Sequence, residues 1–420
     1  MTAKKKLLRM LLPVASTLLW GCSSDEVVEE ASSDVLITYQ VSADHVETRG
    51  EAISNSSFAK DDRKFRLWCW MTDDNGATYS PMISEFNTHP LTDILVTYTA
   101  GTGWETSETF YWPRPRYRAD FYAIYPPETS QNPSGVTTSF TATTKTITYT
   151  SFDGNTDLMY ATYSDQRTQK DVREKHRAAT LNFYHATTQV MFFGKLSSQL
   201  NNFGWEVEVK DITIYNVKAD GTFTFQPYDA AKVTKPEAMT FALKEGASTR
   251  VYSPTMNYPE SEATQEIKKI KIDATSMADN HEVQLTSSSD ALMLLPQDLK
   301  PWDSDNEKSG TVSPTTSGGY LAINLRAVQH QTGEQPDIYP LKADGGFVTV
   351  YVPFGSTTDG TTIASSTVQS PWLAGKLYKY ILTFGVGLSA GGKTVIQPIK
   401  IEAAIAPWLE ATPVTATIKH

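Results

Sequence analysis

Short runs in which apolar and polar residues alternate occupy most of the chain. In FRLWCWM the alternation places Phe65, Leu67 and Cys69 on one face and Trp68 and Trp70 on the other. A period of two is typical of a β-strand, whose successive side chains point to opposite faces. Further runs of this kind are VLITYQV (35–41), TITYTSF (146–152), WEVEVKDITIYNV (205–217) and FVTVYVPF (347–354). The pattern predicts an all-β fold.

Helical periodicity is scarce. The best candidate is SDQRTQKDVREKHRAA, residues 164–179, which is charged on every face and favours a solvated helix or a loop. We expect this segment to precede a domain boundary near residues 180–186, because a new strand pattern follows it. A chain of 420 residues is long enough for two or three domains, each with a large core.

The first residues have the pattern of an export signal. Residues 1–9 are basic, and the apolar stretch that follows is shorter than the roughly 20 residues needed to span a bilayer. Residues 1–21 are therefore predicted to be a signal peptide. The Leu19-Trp20-Gly21 sequence before Cys22 resembles a bacterial lipobox, in which the cysteine thiol is acylated. The alternative is a buried or paired cysteine.

Net charge limits the partners of the exported chain. Loss of residues 1–21 removes four basic side chains and takes the formal charge from −10 to −14. An acidic chain without a basic run is a poor nucleic-acid binder. The other cysteine, Cys69, has no partner once Cys22 is acylated, so no disulfide is expected and Cys69 is predicted to be a small core residue.

The sequence offers little for catalysis. Its seven histidines lack metal-ligand spacing, and no GxSxG elbow or phosphate-binding glycine loop occurs. We predict no catalytic residue, metal or cofactor, and hence no enzyme. A pair of carboxylates in a cleft is the one remaining route to a hydrolase.

The segment GWETSETFYWPRPRYRADFYAIYPP, residues 103–127, is unusually aromatic. Its rings could form a platform for sugars, or they could fill a core from two strands. We favour the core, with Pro126 and Pro127 ending the second strand because proline cannot donate to the ladder.

Five segments resemble, in order, motifs of the Bacteroidetes fimbrillin-like proteins, the subunits of type V pili. They are FYWPRPRYRADFYAIYPP, DLMYAT, NFYHATTQVMFFGKL, LMLLPQDL and PWLAGKLYKYILTF. The resemblance implies two transthyretin-like β-sandwich domains in tandem, which we place at residues 50–185 and 186–420. It also implies a structural or adhesive pilus subunit at the outer membrane and in the fimbrium. Its partners would be other pilus subunits and a surface protein or glycan.

The resemblance further implies an assembly mechanism. Family members are exported as lipoproteins, and SSDE after Cys22 resembles the tag that sends such proteins to the outer face. A protease then cuts after an arginine in the first loop, and a neighbouring subunit's strand fills the groove left behind. In this chain the bond is that between Arg49 and Gly50, so residues 22–49 are the acylated tether and removable first strand. The alternative is an ordinary loop arginine.

The C-terminal sequence TPVTATIKH is a candidate donor strand. Val414, Ala416 and Ile418 alternate with polar residues, as a groove with apolar sites at every second position requires. The tail could equally complete its own sheet. The alternative function for the whole chain is a permanently anchored surface lipoprotein that binds glycans.

Overall fold

The structure is a computed structural model. It describes residues 36–43, 58–60, 63–72, 79–84, 87–113, 117–127, 137–141, 145–167, 178–197, 205–225, 239–273, 282–299, 318–329, 337–339, 346–353, 372–388 and 394–407. Within these ranges the chain forms strands and a 3-10 turn at Glu260–Glu262. The predicted all-β class is confirmed.

The strands are numbered in chain order. They are β1 Tyr39–Ala43, β2 Lys64–Thr72, β3 Tyr79–Pro81, β4 Ile94–Thr99, β5 Gly103–Thr106, β6 Tyr117–Tyr125, β7 Thr137–Thr141, β8 Thr146–Thr150, β9 Met159–Arg167, β10 Ala179–His185, β11 Thr188–Leu196 and β12 Trp205–Lys218. There follow β13 Gly221–Phe225, β14 Met239–Leu243, β15 Thr249–Tyr252, β16 Ile270–Ile272, β17 Val283–Gln284, β18 Leu292–Leu294, β19 Tyr320–Gln329, β20 Asp337–Tyr339, β21 Val348–Pro353, β22 Lys376–Leu388 and β23 Thr394–Pro407.

An eight-stranded sheet forms the first half of the fold. Its order is β1-β10-β9-β6-β2-β4-β5, with β3 also paired to β2. β1 runs parallel to β10, whereas the neighbouring pairs β10–β9, β9–β6 and β6–β2 are antiparallel. Leu36 bridges to Tyr111, just beyond β5, so the two edges of the sheet approach each other around a shared core.

β2 is buried on both of its faces. Phe65, Leu67 and Cys69 are fully buried in the first core, and Trp68 and Trp70 are buried on the opposite face. The predicted alternation is thus confirmed, and Cys69 is a buried free thiol. Both faces must therefore be covered by other parts of the chain.

Two further sheets enclose the core of the second half. The five-stranded sheet has the order β17-β11-β22-β23, with β18 also paired to β11. The six-stranded sheet has the order β15-β12-β19-β20, with β16 also paired to β12 and β21 to β19. Apolar residues of β11 and β22 share one core with those of β12 and β19. Trp372 is buried there, and its indole N–H donates to the Tyr380 hydroxyl at 2.8 Å. Without this bond the indole N–H would be buried with no hydrogen-bond partner.

A four-stranded sheet joins the two halves. Its order is β14-β13-β8-β7, so two strands precede residue 185 and two follow it. Phe223 of β13 lies opposite Ile147 of β8, and both pack into a third core with Trp68, Trp70 and Tyr122. The predicted boundary at 185/186 coincides with the connection from β10 to β11. Because this sheet draws strands from both sides, the two-domain division stays a prediction.

Two elements differ from the sequence expectations. The charged segment at 164–179 begins as strand, not as helix or loop, because β9 continues to Arg167 in register with β6. There Ser164 donates to the buried carboxylate of Asp120 at 2.6 Å, which gives the strand a polar partner. The first strand is Tyr39–Ala43 instead of 35–41, since the ladder with β10 starts at Tyr39.

Asp220 ties together the loops at the end of the four-stranded sheet. Its carboxylate accepts hydrogen bonds from the Ser151 N–H at 2.7 Å and from the N–H and hydroxyl of Ser248 at 3.1 and 2.8 Å. Burial tends to raise the pKa of this carboxyl. The hydrogen bonds and the charge of Lys244 outweigh burial and hold the pKa below its ordinary value of 3.8.

We expect Asp220→Ala to lower the free energy of unfolding at pH 7 by about 0.5–1.5 kcal/mol, the net value of a hydrogen bond in a solvent-accessible place. A carboxyl with a lowered folded pKa contributes stability above its unfolded pKa and loses it as the pH falls through the folded pKa. Urea unfolding between pH 7 and pH 3 should therefore show the difference from wild type shrinking below pH 3.8. Asp220→Asn, which keeps one acceptor oxygen, should lower the free energy of unfolding by less than Asp220→Ala does. A difference that stays constant with pH contradicts this account.

Candidate functional site

β1 lies between two neighbours that are distant from it in sequence. The Ala179 N–H donates to the Thr38 carbonyl at 2.8 Å, and the Ile37 N–H donates to the Phe110 carbonyl at 2.9 Å. In a parallel ladder, alternate residues bond to the strand on each side. β1 thus bonds β10 along one edge and the chain after β5 at its start, and it closes the first sheet.

One face of β1 belongs to the first core. Ile37 and Ala43 are 7% and 2% exposed, and Tyr39 and Val41 pack partly buried against the same cluster. Burial also raises the pKa of the Tyr39 hydroxyl. Full burial of a large apolar side chain contributes about 1.5–3 kcal/mol, so removal of β1 would uncover several such positions at once.

Ala43 shares the first core with a cluster of aromatic rings. Ala43 lies in register with Phe183 of β10, and both residues are buried. The Phe183 ring has its centroid 4.9 Å from that of Phe58 and 5.0 Å from that of Phe65. A small side chain at position 43 fits beside this cluster of three rings.

The opposite face of β1 carries a polar contact. The Ser42 hydroxyl donates to the side-chain oxygen of Asn182, its register partner on β10. Asn182 is exposed between the buried Leu181 and Phe183. The end of β1 thus presents two features to β10, a hydroxyl on the outer face and a methyl group on the inner face.

The predicted site residues lie outside the described residues. These are Cys22, Arg49, Gly50, Val414, Ala416 and Ile418. The Arg49–Gly50 bond nevertheless falls in sequence between Ala43, the last residue of β1, and Phe58, the next described residue. A cut there separates β1 from the rest of the chain and leaves Phe58 with the sheet.

Sequence reasoning missed the residues that receive β1. Phe110, Asn182 and Phe183 lie within the family-like motifs but were not among the predicted site residues. Period-two patterns show which face of a strand is buried, but they do not show its partner. The contact between Ser42 and Asn182 joins residues 140 positions apart.

Other kinds of site find no support in the described ranges. They contain no group of His, Cys, Asp and Glu side chains that could hold a metal ion. No helix in the described part of the chain is long and apolar enough to cross a membrane. In the aromatic segment Trp104, Phe110 and Trp112 are 9% exposed or less, so their rings fill the first core.

The fold is all-β, and a family model described as fimbrillin-like matches residues 48–408. The chain belongs to the fimbrillin-like family. Family membership makes it a fimbrial or adhesive subunit of the cell surface, a structural protein that assembles with other pilus subunits and not an enzyme. Among curated proteins, none matches the sequence.

Solved structures agree with the fold. A fimbrial protein from Bacteroides vulgatus is 17% identical with a TM-score of 0.53, over 89% of this chain and 99% of that one. Candidate cell adhesion proteins from Bacteroides uniformis and Bacteroides eggerthii are 13% and 10% identical, with TM-scores of 0.34 and 0.40. The matches cover 90% and 89% of this chain and 99% and 96% of those chains. Because their TM-scores are below 0.5, the structures from Bacteroides uniformis and Bacteroides eggerthii do not support the fold assignment.

We expect Ala43→Leu to destabilise the uncut protein by about 1–3 kcal/mol, because added methylenes overpack the ring cluster around Phe183. Gln40→Leu is the matched control, since Gln40 is exposed on the same strand. Urea unfolding of both variants measures the difference. Equal stabilities would show that β1 is not packed into the first core.

Proposed function

We propose that the protein is exported as an outer-membrane lipoprotein and becomes a subunit of a type V pilus after residues 22–49 are removed. Family membership supports the pilus subunit. The position of β1 at the end of the strand order supports the processing step, because a terminal strand can leave without breaking the order of the remaining strands. That position is the single observation that carries the proposal.

The anchor is the first step. The signal peptide, residues 1–21, is removed, and Cys22 is acylated. Each buried CH₂ of the lipid contributes about 0.8 kcal/mol, so acyl chains hold the chain at the membrane without a spanning helix. The acidic, polar residues 23–34 then link the acylated cysteine to the fold.

Cleavage after Arg49 is the second step. The tether and β1 then form one fragment, and the sheet from Phe58 onwards remains. Loss of β1 exposes the edge of β10 and the positions that Ile37, Tyr39, Val41 and Ala43 occupied. An exposed edge with apolar positions at every second residue recruits another strand, through main-chain hydrogen bonds and side-chain packing.

A neighbouring subunit supplies that strand. Val414, Ala416 and Ile418 make the C-terminal tail a candidate donor, with completion of its own sheet as the alternative. Each subunit would thus fill its neighbour's groove, and the chain of contacts forms the filament. An adhesive role toward a surface protein or glycan belongs to the same proposal.

The second candidate function is a permanently anchored glycan-binding lipoprotein. Its supporting observation is Tyr79, which is 43% exposed and whose hydroxyl donates to the buried Asp120 at 3.1 Å. Burial of the aromatic segment removes the rest of the platform. The same experiment separates the two functions.

We expect Arg49→Ala to keep its N-terminal segment and to lose detergent-resistant multimers on the native cell surface. The bond after an alanine is not a substrate for a trypsin-like protease, so β1 stays in place. Glu47→Ala, in the same segment, is the control and should be processed and assembled as wild type. Unboiled gels with an antibody to the protein measure both properties. Multimers of the Arg49→Ala protein would contradict the proposal, and a wild type that remains monomeric and anchored favours the glycan-binding function.

A further inference from the structure

We propose that two adjacent residues of β10, Asn182 and Phe183, select the strand that replaces β1. They accept a strand with a hydroxyl side chain followed by a small residue. The partner with this order is a second copy of this chain, through residues 414–416. The inference rests on the proposed function, because the groove opens only when β1 leaves.

Phe183 sets the size limit. It is fully buried, and its ring packs against those of Phe58 and Phe65. Both of these residues stay with the subunit after a cut at Arg49. The incoming strand must therefore place a residue as small as Ala43 in register with Phe183, or the ring cluster has to move.

Asn182 adds a polar requirement on the outer face. Its side-chain oxygen accepts the hydrogen bond of Ser42. The preceding residue of β1, Val41, packs against the core. The end of β1 thus has the order of a branched apolar residue facing in, a hydroxyl facing out and alanine facing in.

The C-terminal tail repeats this order. Val414, Thr415 and Ala416 carry the same three kinds of side chain as Val-Ser-Ala at positions 41–43. In a parallel arrangement on β10, Thr415 would then lie beside Asn182, and Ala416 beside Phe183. The match thus defines the register of the tail on β10, which the alternation of apolar and polar residues alone does not define.

Other registers fit less well. A shift of one residue turns Val414 and Ala416 to the solvent face. A shift of two residues still offers a hydroxyl, that of Thr417, to Asn182. It also places Ile418 in the confined position beside Phe183, so the size limit decides between the two registers.

Pro413 limits the length of the donated strand. In the chosen register it takes the place of Gln40. The Thr38 carbonyl bonds β10, and alternate residues of a parallel strand face the same neighbour, so the Gln40 N–H also points toward β10. Proline has no N–H but is tolerated as the first residue of a strand. The tail is therefore assigned to the half of β10 from Leu181 onwards.

Cysteine pairs in the full-length protein on its native cell surface test the register. Neighbouring strands lie about 4.8 Å apart, which suits a disulfide between residues in register, whereas a residue two positions along is too far. Asn182→Cys with Thr415→Cys should give a ladder of linked multimers on a non-reducing gel. Asn182→Cys with Thr417→Cys is the matched control and should give monomers. We expect few unwanted disulfide-linked multimers, because Cys69 is buried.

Each outcome bears on a different claim. Linking through position 417 but not 415 overturns the size limit and the register. Multimers in which neither pair links overturn the assignment of the tail to β10 and leave the proposed function standing. Absence of multimers in the wild type overturns the proposed function and the inference with it.

A second pair of variants covers the case in which the cysteine proteins fail to assemble. Ala416→Leu should lose multimers, because leucine does not fit beside Phe183. Thr417→Leu, with the added side chain on the outer face, should keep them. Monomer abundance on the surface shows that both proteins are exported. Multimers of the Ala416→Leu protein overturn the proposal.

Discussion

The backbone pairing of β1 with β10 is the interaction on which the account depends. The Thr38 carbonyl and Ile37 N–H each bond to a partner far along the chain, and the pairing closes a sheet whose core contains Trp104, Trp112 and Phe183. Ladder hydrogen bonds involve main-chain groups and are therefore available to any strand. Side chains decide which strand is accepted. A terminal strand that the core needs can thus also be replaced by another strand.

The division of the apolar residues into three clusters limits the effect of losing β1. Residues of β1 occur in the first cluster alone among the described residues. The third cluster joins both halves beneath the four-stranded sheet, and Asp220 adds hydrogen bonds to Ser151 and Ser248 across the same junction. Loss of β1 would open one core while the other two keep the halves together. We therefore expect such a subunit to stay folded and to bind a replacement strand at β10.

Local pattern predicted the faces of the strands but not their partners. The alternation around Cys69 showed both buried faces of β2, because each face leaves its own period-two signature. The end of β9 after Tyr163 was not predicted as strand, because its residues are mostly polar or charged and form no apolar stripe. Asn182 and Phe183 were outside the predicted site because parallel pairing across 140 positions has no local signature. The export-signal pattern and the lipobox-like residues predicted Cys22, and the family resemblance predicted Arg49; both lie outside the described residues.

The most direct test of the central claim is the N-terminal residue of the protein within native multimers, determined by mass spectrometry of the intact chain. The account predicts a chain that starts at Gly50, without lipid and without β1. A chain that starts at acylated Cys22 in those multimers would show that β1 remains in its own subunit, and assembly by strand exchange at β10 would be wrong.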